Sequence, residues 1–489
     1  MSAAPFLLTI AGHDPVHGAG VTADLATWAA MGLDGASVVT ALTVQNSDGL
    51  QRVEPVAPDL VQAALQAVLR DGEPAALKIG MLASATVARE VIEFVAARRC
   101  PVVFDPVLSG SNGHSAFGAD GDSFAALRDL MRHADVITPN LPEARALLPG
   151  QPVGLEALRA LCRGAVVLKG GHGTGESSVD WVMDADRRCA ALSSPRLPLS
   201  AHGTGCVMSS ALAGMMSLGW DVFDAATLAK ARVHAGIAQS RPRPGRPHTL
   251  AAPMPGSAHL PALQWADAHG LPIPEPSPVP FAALTGPLGF YPVVPDAEWV
   301  ERLLEWGVRT VQLRVKAGGL SPSALRREIE RAVDAGRRFP GAQVFINDHW
   351  REALDLGAYG VHLGQEDIDA ADLAALRDAG LRLGISSHTP AEMARAHAAQ
   401  PSYVAIGPVY PTTLKAMRYD AVGLARLRDW CRWYQPRYPV VAIGGISLAR
   451  APGVLACGVD SLAVVSAVTQ ADRPREAVDA FMRLFVAPG

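Results

Sequence analysis

The chain has 489 residues, 49% of them hydrophobic and 18% charged, with a formal net charge of −4. That length exceeds one ordinary hydrophobic core and predicts two domains of roughly 200 to 250 residues each, and the apolar content excludes wholesale disorder. No long basic tract suggests a nucleic-acid surface, no apolar run approaches the ~20 residues of a spanning helix, and the first apolar run lacks the basic flank of a signal peptide, so a cytoplasmic protein with neither nucleic-acid nor membrane partners is expected.

Apolar, β-like runs open the chain at 5–12 (PFLLTIAG), 36–45, 75–82, 101–107 (PVVFDPV), 135–140 and 164–171 (GAVVLKGG), with helical patterns between most of them. Such alternation predicts an α/β domain, a mainly parallel sheet covered by helices on both faces. Cys100, Cys162, Cys189, Cys206, Cys431 and Cys457 form no CxxC pair, which argues against a disulfide framework or a structural zinc site.

Residues 200–208 read SAHGTGCVM and run into a helical pattern. A Gly-Thr-Gly loop opening a helix turns unpaired N–H groups toward an anion, so Gly203 and Gly205 suit phosphoryl transfer. Cys206 sits at the helix start, where a lowered thiol pKa is expected. Asp105, Asn140 and Glu143 close apolar runs where carboxylates and amides can serve Mg²⁺ and phosphates, and Lys169 can approach a nucleotide.

Between Arg241 and Gly289 proline becomes dense, as in RPRPGRPHTLAAPMPGS. Proline blocks regular hydrogen bonding, so residues 241–288 are expected to link a domain at 1–240 to one at 289–489. A short helix is predicted inside this stretch at 261–270.

Eight β-like runs follow: GFYPVV, TVQLRV, QVFIND, GVHLGQ, RLGISSH, YVAIGPVY, PVVAIGGI and SLAVVSAV, each trailed by a helical pattern. Eight units in ~200 residues is the count of a small (β/α)8 TIM barrel, whose functional groups sit at the C-terminal strand ends. An open doubly wound sheet is the competing architecture. Gln312, Arg314 and Lys316 alternate along the second run and should share one face. Asn347 and Asp348 end the third, Glu366 and Asp367 follow the fourth, Ser386 ends the fifth, and Lys415 follows the sixth. The carboxylates suit Mg²⁺. Gly444, Gly445, Val465 and Ser466 lie at the seventh and eighth ends, where barrels hold phosphate through backbone N–H groups. Two phosphorylated substrates are implied, one of them a diphosphate.

The ordered motifs QLRVK, FINDHW, GVHLGQED, GISSH, GPVYPTTLK, AIGGI and AVVSA resemble those of thiamine phosphate synthases across almost all of 289–480. The resemblance implies condensation of hydroxymethylpyrimidine diphosphate with thiazole phosphate. It assigns Gln312, Arg314, Lys316 and Asn347 to the pyrimidine diphosphate, and Asp348 and Asp367 to Mg²⁺. Ser386 and Lys415 would contact pyrimidine and pyrophosphate, and Thr412 with Gly445, Val465 and Ser466 the thiazole phosphate. Arg314, Lys316 and Lys415 would be the catalytic cations.

The N-terminal motifs LTIAGHDP, GAGVTADL, ALTVQN, KIGML, VFDPV, TPNLPEA and GTGC resemble hydroxymethylpyrimidine phosphate kinases, which have a ribokinase-like three-layer α/β/α fold, over about residues 5–240. The resemblance implies ATP as co-substrate and a pyrimidine site framed by Gly12, Asp24, Gln45 and Met81. Asp105, Asn140 and Lys169 would serve the nucleotide, Glu143 the metal, and Gly203, Gly205 and Cys206 an anion hole. A homodimer is left open. Two alternatives also stand: a pyrimidine-binding domain without catalysis, or a kinase for a related substrate such as pyridoxal.

Both halves depart from their families. His13, Val16 and His17 stand where the kinase loop usually carries Ser, Ser and Gly. Leu414 replaces the second threonine of the synthase loop, removing one hydroxyl from the expected thiazole phosphate site. Leu414→Thr is therefore expected to lower the Michaelis constant for thiazole phosphate in steady-state assays, whereas an unchanged constant would reject this reading of the loop.

Overall fold

The computed structural model describes residues 6–46, 49–108, 117, 121–171, 173, 175–199, 201–240, 255–266, 279–316, 320–411 and 420–486. Two compact units divide the chain: residues 1–255 with 259–274, and residues 256–258 with 275–489.

The first unit is built on ten strands: β1 (Phe6–His13), β2 (Asp34–Asn46), β3 (Gly49–Pro55), β4 (Ala76–Ile79), β5 (Val102–Phe104), β6 (Val136–Ile137), β7 (Ala165–Leu168), β8 (Ser177–Met183), β9 (Cys189–Pro195) and β10 (Ala262–Ala266). They lie in the order β10-β9-β8-β7-β6-β5-β4-β1-β2-β3. The six predicted strands, β1, β2 and β4 to β7, pair in parallel. Every residue of β4, β5, β6 and β7 is buried, as strands covered on both faces must be.

Antiparallel strands missed by the sequence reading flank this centre: β3 beside β2, and β8, β9 and β10 beyond β7. The strand β10 replaces the short helix predicted at 261–270. Its Ala, Leu and Gln favour helix locally, but the open edge of β9 supplies backbone partners from Ala262 opposite Ser193 to Ala266 opposite Cys189. Its Trp265 ring packs edge-on to Phe223 at 4.8 Å. Tertiary pairing has overridden propensity.

The second unit contains β11 (Gly289–Val294), β12 (Thr310–Leu313), β13 (Gln343–Asn347), β14 (Gly360–Leu363), β15 (Arg382–Ser387), β16 (Tyr403–Ile406), β17 (Val440–Ile443) and β18 (Ser461–Val464). All neighbours are parallel, and β11 also pairs with β18, closing the barrel and excluding the open sheet. Each strand after the first is preceded by at least one helix, the longest being Pro322–Arg338. Tyr291, Phe345, Tyr403, Val441 and Ala463 fill the interior.

Large rings inside a small barrel need space that neighbouring strands must leave. A Cβ on Gly384 would lie 2.1 Å from Tyr403 Cζ, and one on Gly360 2.8 Å from the Phe345 ring. Overpacking of this kind costs about 1–3 kcal/mol. Gly384→Ala is expected to shift the barrel's urea unfolding transition to lower denaturant; an unchanged midpoint would show that Tyr403 can move aside freely.

Candidate active sites

In the first unit the loop after β1 turns around a buried carboxylate. Asp14 accepts N–H bonds from Val16 at 2.9 Å, Gly18 at 2.9 Å and Ala19 at 2.8 Å, and lies 3.3 Å from His202 Nε2. Burial opposes its ionisation, but hydrogen bonds from His202, Gln45 and the Val16 N–H hold its pKa down to about 2. A Cβ on Gly18 would meet the His202 ring at 2.4 Å, and one on Gly203 would lie 1.7 Å from the Gly18 carbonyl oxygen. The two glycine loops are therefore pressed together.

Gly203, at φ +83°, starts the helix Thr204–Ser217 with no side-chain cap. Its first-turn N–H groups are not claimed by a capping side chain, as an anion site requires. Beside that turn, Lys169 Nζ donates to Asp105 Oδ1 at 2.6 Å, and a Cβ on Gly205 would come 3.1 Å from Lys169 Nζ. Asp105 also accepts from Thr138 Oγ1 at 3.0 Å. An isolated bridge joins Asn140 to Lys169. Asn140 and Glu143 form a reciprocal capping box on the helix Leu141–Leu147, with Asn140 N–H donating to Glu143 Oε2 at 2.8 Å. Burial, opposed by Lys169 and reinforced by Asp105, raises the Glu143 pKa. Asp105, Glu143, Lys169 and Gly205 thus form one cluster.

Two expectations need correction. Asp24 does not line a surface open to substrate: it is 0% exposed and takes bonds from Thr9 Oγ1 at 2.6 Å, Lys78 Nζ at 2.8 Å and Ser210 Oγ. Lys78 is equally buried; burial opposes its charge, but Asp24, Cys206 and Asp105 hold its pKa above the usual lysine value. Nor is the Cys206 thiol acidified. Burial pushes it up to about 11, outweighing the helix start and the nearby Lys78, with Asp24 and Asp105 adding to the rise.

Gly12 packs under Met81, whose sulfur would lie 3.1 Å from an added Cβ, and Gln45 reaches Asp14. His17 is exposed at φ +59°, and half-buried His13 lines a groove of about 360 Å³ with Val39, Leu42, Val56, Leu60 and Ala64. Asp14, Lys78 and His202 were not singled out from sequence. The signal available for Asp14 was an acidic residue followed by a Gly-rich turn.

In the barrel, strand ends place Gln312, Arg314, Asn347, Asp348, Asp367 and Ser386 at one rim. Gln312 is buried and donates to Tyr291 Oη at 3.1 Å. Arg314 is half-buried and Lys316 exposed beyond the end of β12, so burial falls outward along the expected face. Asp348 adopts φ +63°, uncommon for a residue with a side chain. Burial raises its pKa, Asp367's charge adds to the rise, and Arg314 and His349 oppose it. Buried Asn347 hydrogen-bonds Asp348. A carboxylate whose ionisation is opposed by burial and by a second carboxylate nearby fits a divalent cation. Among the described residues no group of three or more His, Cys, Asp or Glu could hold a metal, and Mg²⁺ commonly fills its shell with water and phosphate oxygens instead.

Ile443 on β17 pairs with Ala463 on β18, so Gly445 and Val465 stand two residues beyond the same register point. Gly444 and Gly445 have φ of +99° and +66°, and a Cβ on Gly444 would lie 2.5 Å from Pro408. Val465 precedes the turn of helix Ser466–Thr469, which has no side-chain cap. Thr412, Leu414 and Lys415 lie outside the described residues.

Sequence reading passed over His362. Its Nε2 is 2.8 Å from Ser386 Oγ and its Nδ1 2.7 Å from Tyr403 Oη. Burial, with Arg314 nearby, lowers its pKa to about 4. The signal was its place in GVHLGQ, where strand alternation points it opposite to Val361 and Leu363.

A family model for thiamine monophosphate synthase matches residues 291–468. A thiamine-phosphate synthase of Neisseria meningitidis is 55% identical over 205 residues, covering 42% of this chain and 98% of its own. Its counterpart from Pectobacterium atrosepticum is 51% identical over 205 residues, covering 42% of this chain and 95% of its own. The chain belongs to the thiamine-phosphate synthase family. A family model for phosphomethylpyrimidine kinase matches residues 14–250. A solved phosphomethylpyrimidine kinase from Clostridium difficile 630 is 31% identical, with a TM-score of 0.41, covering 47% of this chain and 97% of its own. A pyridoxal kinase from Staphylococcus aureus in complex with ADP is 24% identical, with a TM-score of 0.47, covering 54% of this chain and 99% of its own. The phosphomethylpyrimidine kinase match over residues 14–250 precedes the synthase match over 291–468, making this a bifunctional enzyme of thiamine biosynthesis. Among the described residues no helix is long and apolar enough to cross a membrane.

With a thiol pKa of about 11, Cys206 should be thiolate in roughly one molecule per thousand at pH 8. Peptide-mapped alkylation at that pH should label it far more slowly than a free cysteine, and labelling at an ordinary rate would contradict the burial argument.

Proposed function

We propose that the first unit phosphorylates hydroxymethylpyrimidine phosphate from ATP, and that the barrel joins the resulting diphosphate to thiazole phosphate. In the kinase unit, the uncapped N–H groups after Gly203, with Gly205 and the Cys206 backbone, surround the transferring phosphoryl group. Cys206 acts there as a neutral, packed residue rather than as a thiolate. Lys169 carries the positive charge on the phosphate side, and Asp105 holds it in place. Asn140 would serve the phosphates, and Glu143 would hold Mg²⁺. Gly12, Gln45 and Met81 frame the pyrimidine, and Asp24 supports that pocket from beneath through Lys78.

In the barrel, Gln312, Asn347 and Ser386 orient the pyrimidine diphosphate. Arg314, Lys316 and Lys415 stabilise the leaving pyrophosphate as its C–O bond breaks. The thiazole nitrogen then donates its electron pair to the pyrimidine methylene carbon, forming the C–N bond. Thr412 and the backbone around Gly445, Val465 and Ser466 hold the thiazole phosphate. Asp348 and Asp367 would hold Mg²⁺, which when bound neutralises diphosphate oxygens. A cytoplasmic location suits substrates that are all charged phosphates.

The observation that carries the barrel reading is the convergence of Asp348, Asp367 and Arg314 at one rim. In an assay of the full chain with ATP, hydroxymethylpyrimidine phosphate and thiazole phosphate, Asp348→Ala should reduce thiamine phosphate formation at least a hundredfold while ADP release continues. Equal loss of both activities, or an undiminished synthase rate, would overturn the assignment.

A further inference from the structure

One hydrogen-bonded chain runs across the barrel between two of the proposed pyrimidine contacts. Gln312 Nε2 donates to Tyr291 Oη at 3.1 Å, Tyr291 Oη lies 2.8 Å from Tyr403 Oη, Tyr403 Oη lies 2.7 Å from His362 Nδ1, and His362 Nε2 lies 2.8 Å from Ser386 Oγ. Gln312 and His362 are 4% and 6% exposed, and both tyrosines 1% or less. Water has little access to reverse the chain's direction.

An amide nitrogen can only donate. Its bond into Tyr291 turns the Tyr291 O–H toward Tyr403, and the Tyr403 O–H in turn toward His362 Nδ1. A ring carrying one proton then bears it on Nε2 and donates to Ser386 Oγ, which leaves the Ser386 O–H directed at whatever occupies the rim. Tautomers are set in this way by the partner of the other ring nitrogen. The direction is kept by packing as well: the ring of Tyr403 fills the space that a side chain at Gly384 would need, stacks on His362 at 5.7 Å and meets Phe345 edge-on at 5.1 Å.

We propose that Tyr291, Tyr403 and His362 are positioning residues forming a one-way relay that makes Ser386 a hydrogen-bond donor, so that the barrel selects a heteroaromatic ring presenting a nitrogen acceptor at that point. At the other end the same chain turns the Gln312 amide nitrogen inward and leaves its oxygen as the remaining acceptor. The proposal rests on the reading that the pyrimidine diphosphate binds here. It goes beyond that reading by assigning a role to three residues that need not touch the substrate, and a protonation pattern to the site.

The test has a part that needs no substrate. In long-range ¹H–¹⁵N correlation spectra of histidine-labelled full chain, His362 should show the Nε2–H tautomer, and in Tyr403→Phe this preference should be lost. An Nδ1–H tautomer in the parent chain would overturn the relay. In kinetics, Tyr403→Phe and His362→Leu should raise the Michaelis constant for the pyrimidine diphosphate about tenfold or more and leave that for thiazole phosphate within about twofold. His362→Gln, which keeps an N–H donor near the Nε2 position, should recover most of the loss. An equal rise for both substrates, or no recovery by His362→Gln, would reduce these residues to packing and overturn the proposal. Absence of synthase turnover in the parent chain, with the Nε2–H tautomer present, would instead overturn the substrate assignment beneath it.

Discussion

Closure of eight parallel strands into a ring is the constraint on which the barrel's chemistry depends. Parallel strands present all their C-terminal ends to one side, so Arg314, Asp348, Asp367 and Ser386, from four successive segments, share a rim. The pair β11 and β18 is decisive, because without it Gly445 and Val465 would close an open sheet instead of facing the groups from β12 to β15. Asp348 lies close to Asp367, and half-buried Arg314 offsets only part of their repulsion, an arrangement that a bound magnesium diphosphate would relieve.

The proposed anion site of the first unit is built by a different device. No Walker loop is present; two glycine turns are packed so tightly that Gly18 and Gly203 admit no side chain, and the helix behind them begins without a side-chain cap. Below, the buried Asp24–Lys78 pair carries the site from inside. Removing one member of such a pair costs about 3–5 kcal/mol, because the other is left charged and unpaired. Position in a family-like motif and exposure to a pocket are thus separable properties: Asp24 lies in GAGVTADL and is fully buried.

Much of this was legible because period-2 runs and their terminal polar residues are local features. All eight barrel strands and the six parallel strands of the first unit follow from them. What escaped depends on tertiary structure. Ala262–Ala266 has helical composition and becomes a strand only because β9 offers an edge. The acidity expected of Cys206 followed from its place at a helix start, but desolvation there outweighs the dipole. His362 looked like one polar residue in an apolar strand; its importance lies in partners 24 and 41 residues away.

The central claim is that Asp348 and Asp367 jointly hold a divalent cation against a diphosphate. Electron paramagnetic resonance of Mn²⁺ titrated into the full chain with pyrophosphate measures this directly. The account predicts that Asp348→Ala combined with Asp367→Ala eliminates one pyrophosphate-dependent Mn²⁺ site, leaving any site in the kinase unit. An unaltered Mn²⁺ stoichiometry and affinity in that double variant would contradict it.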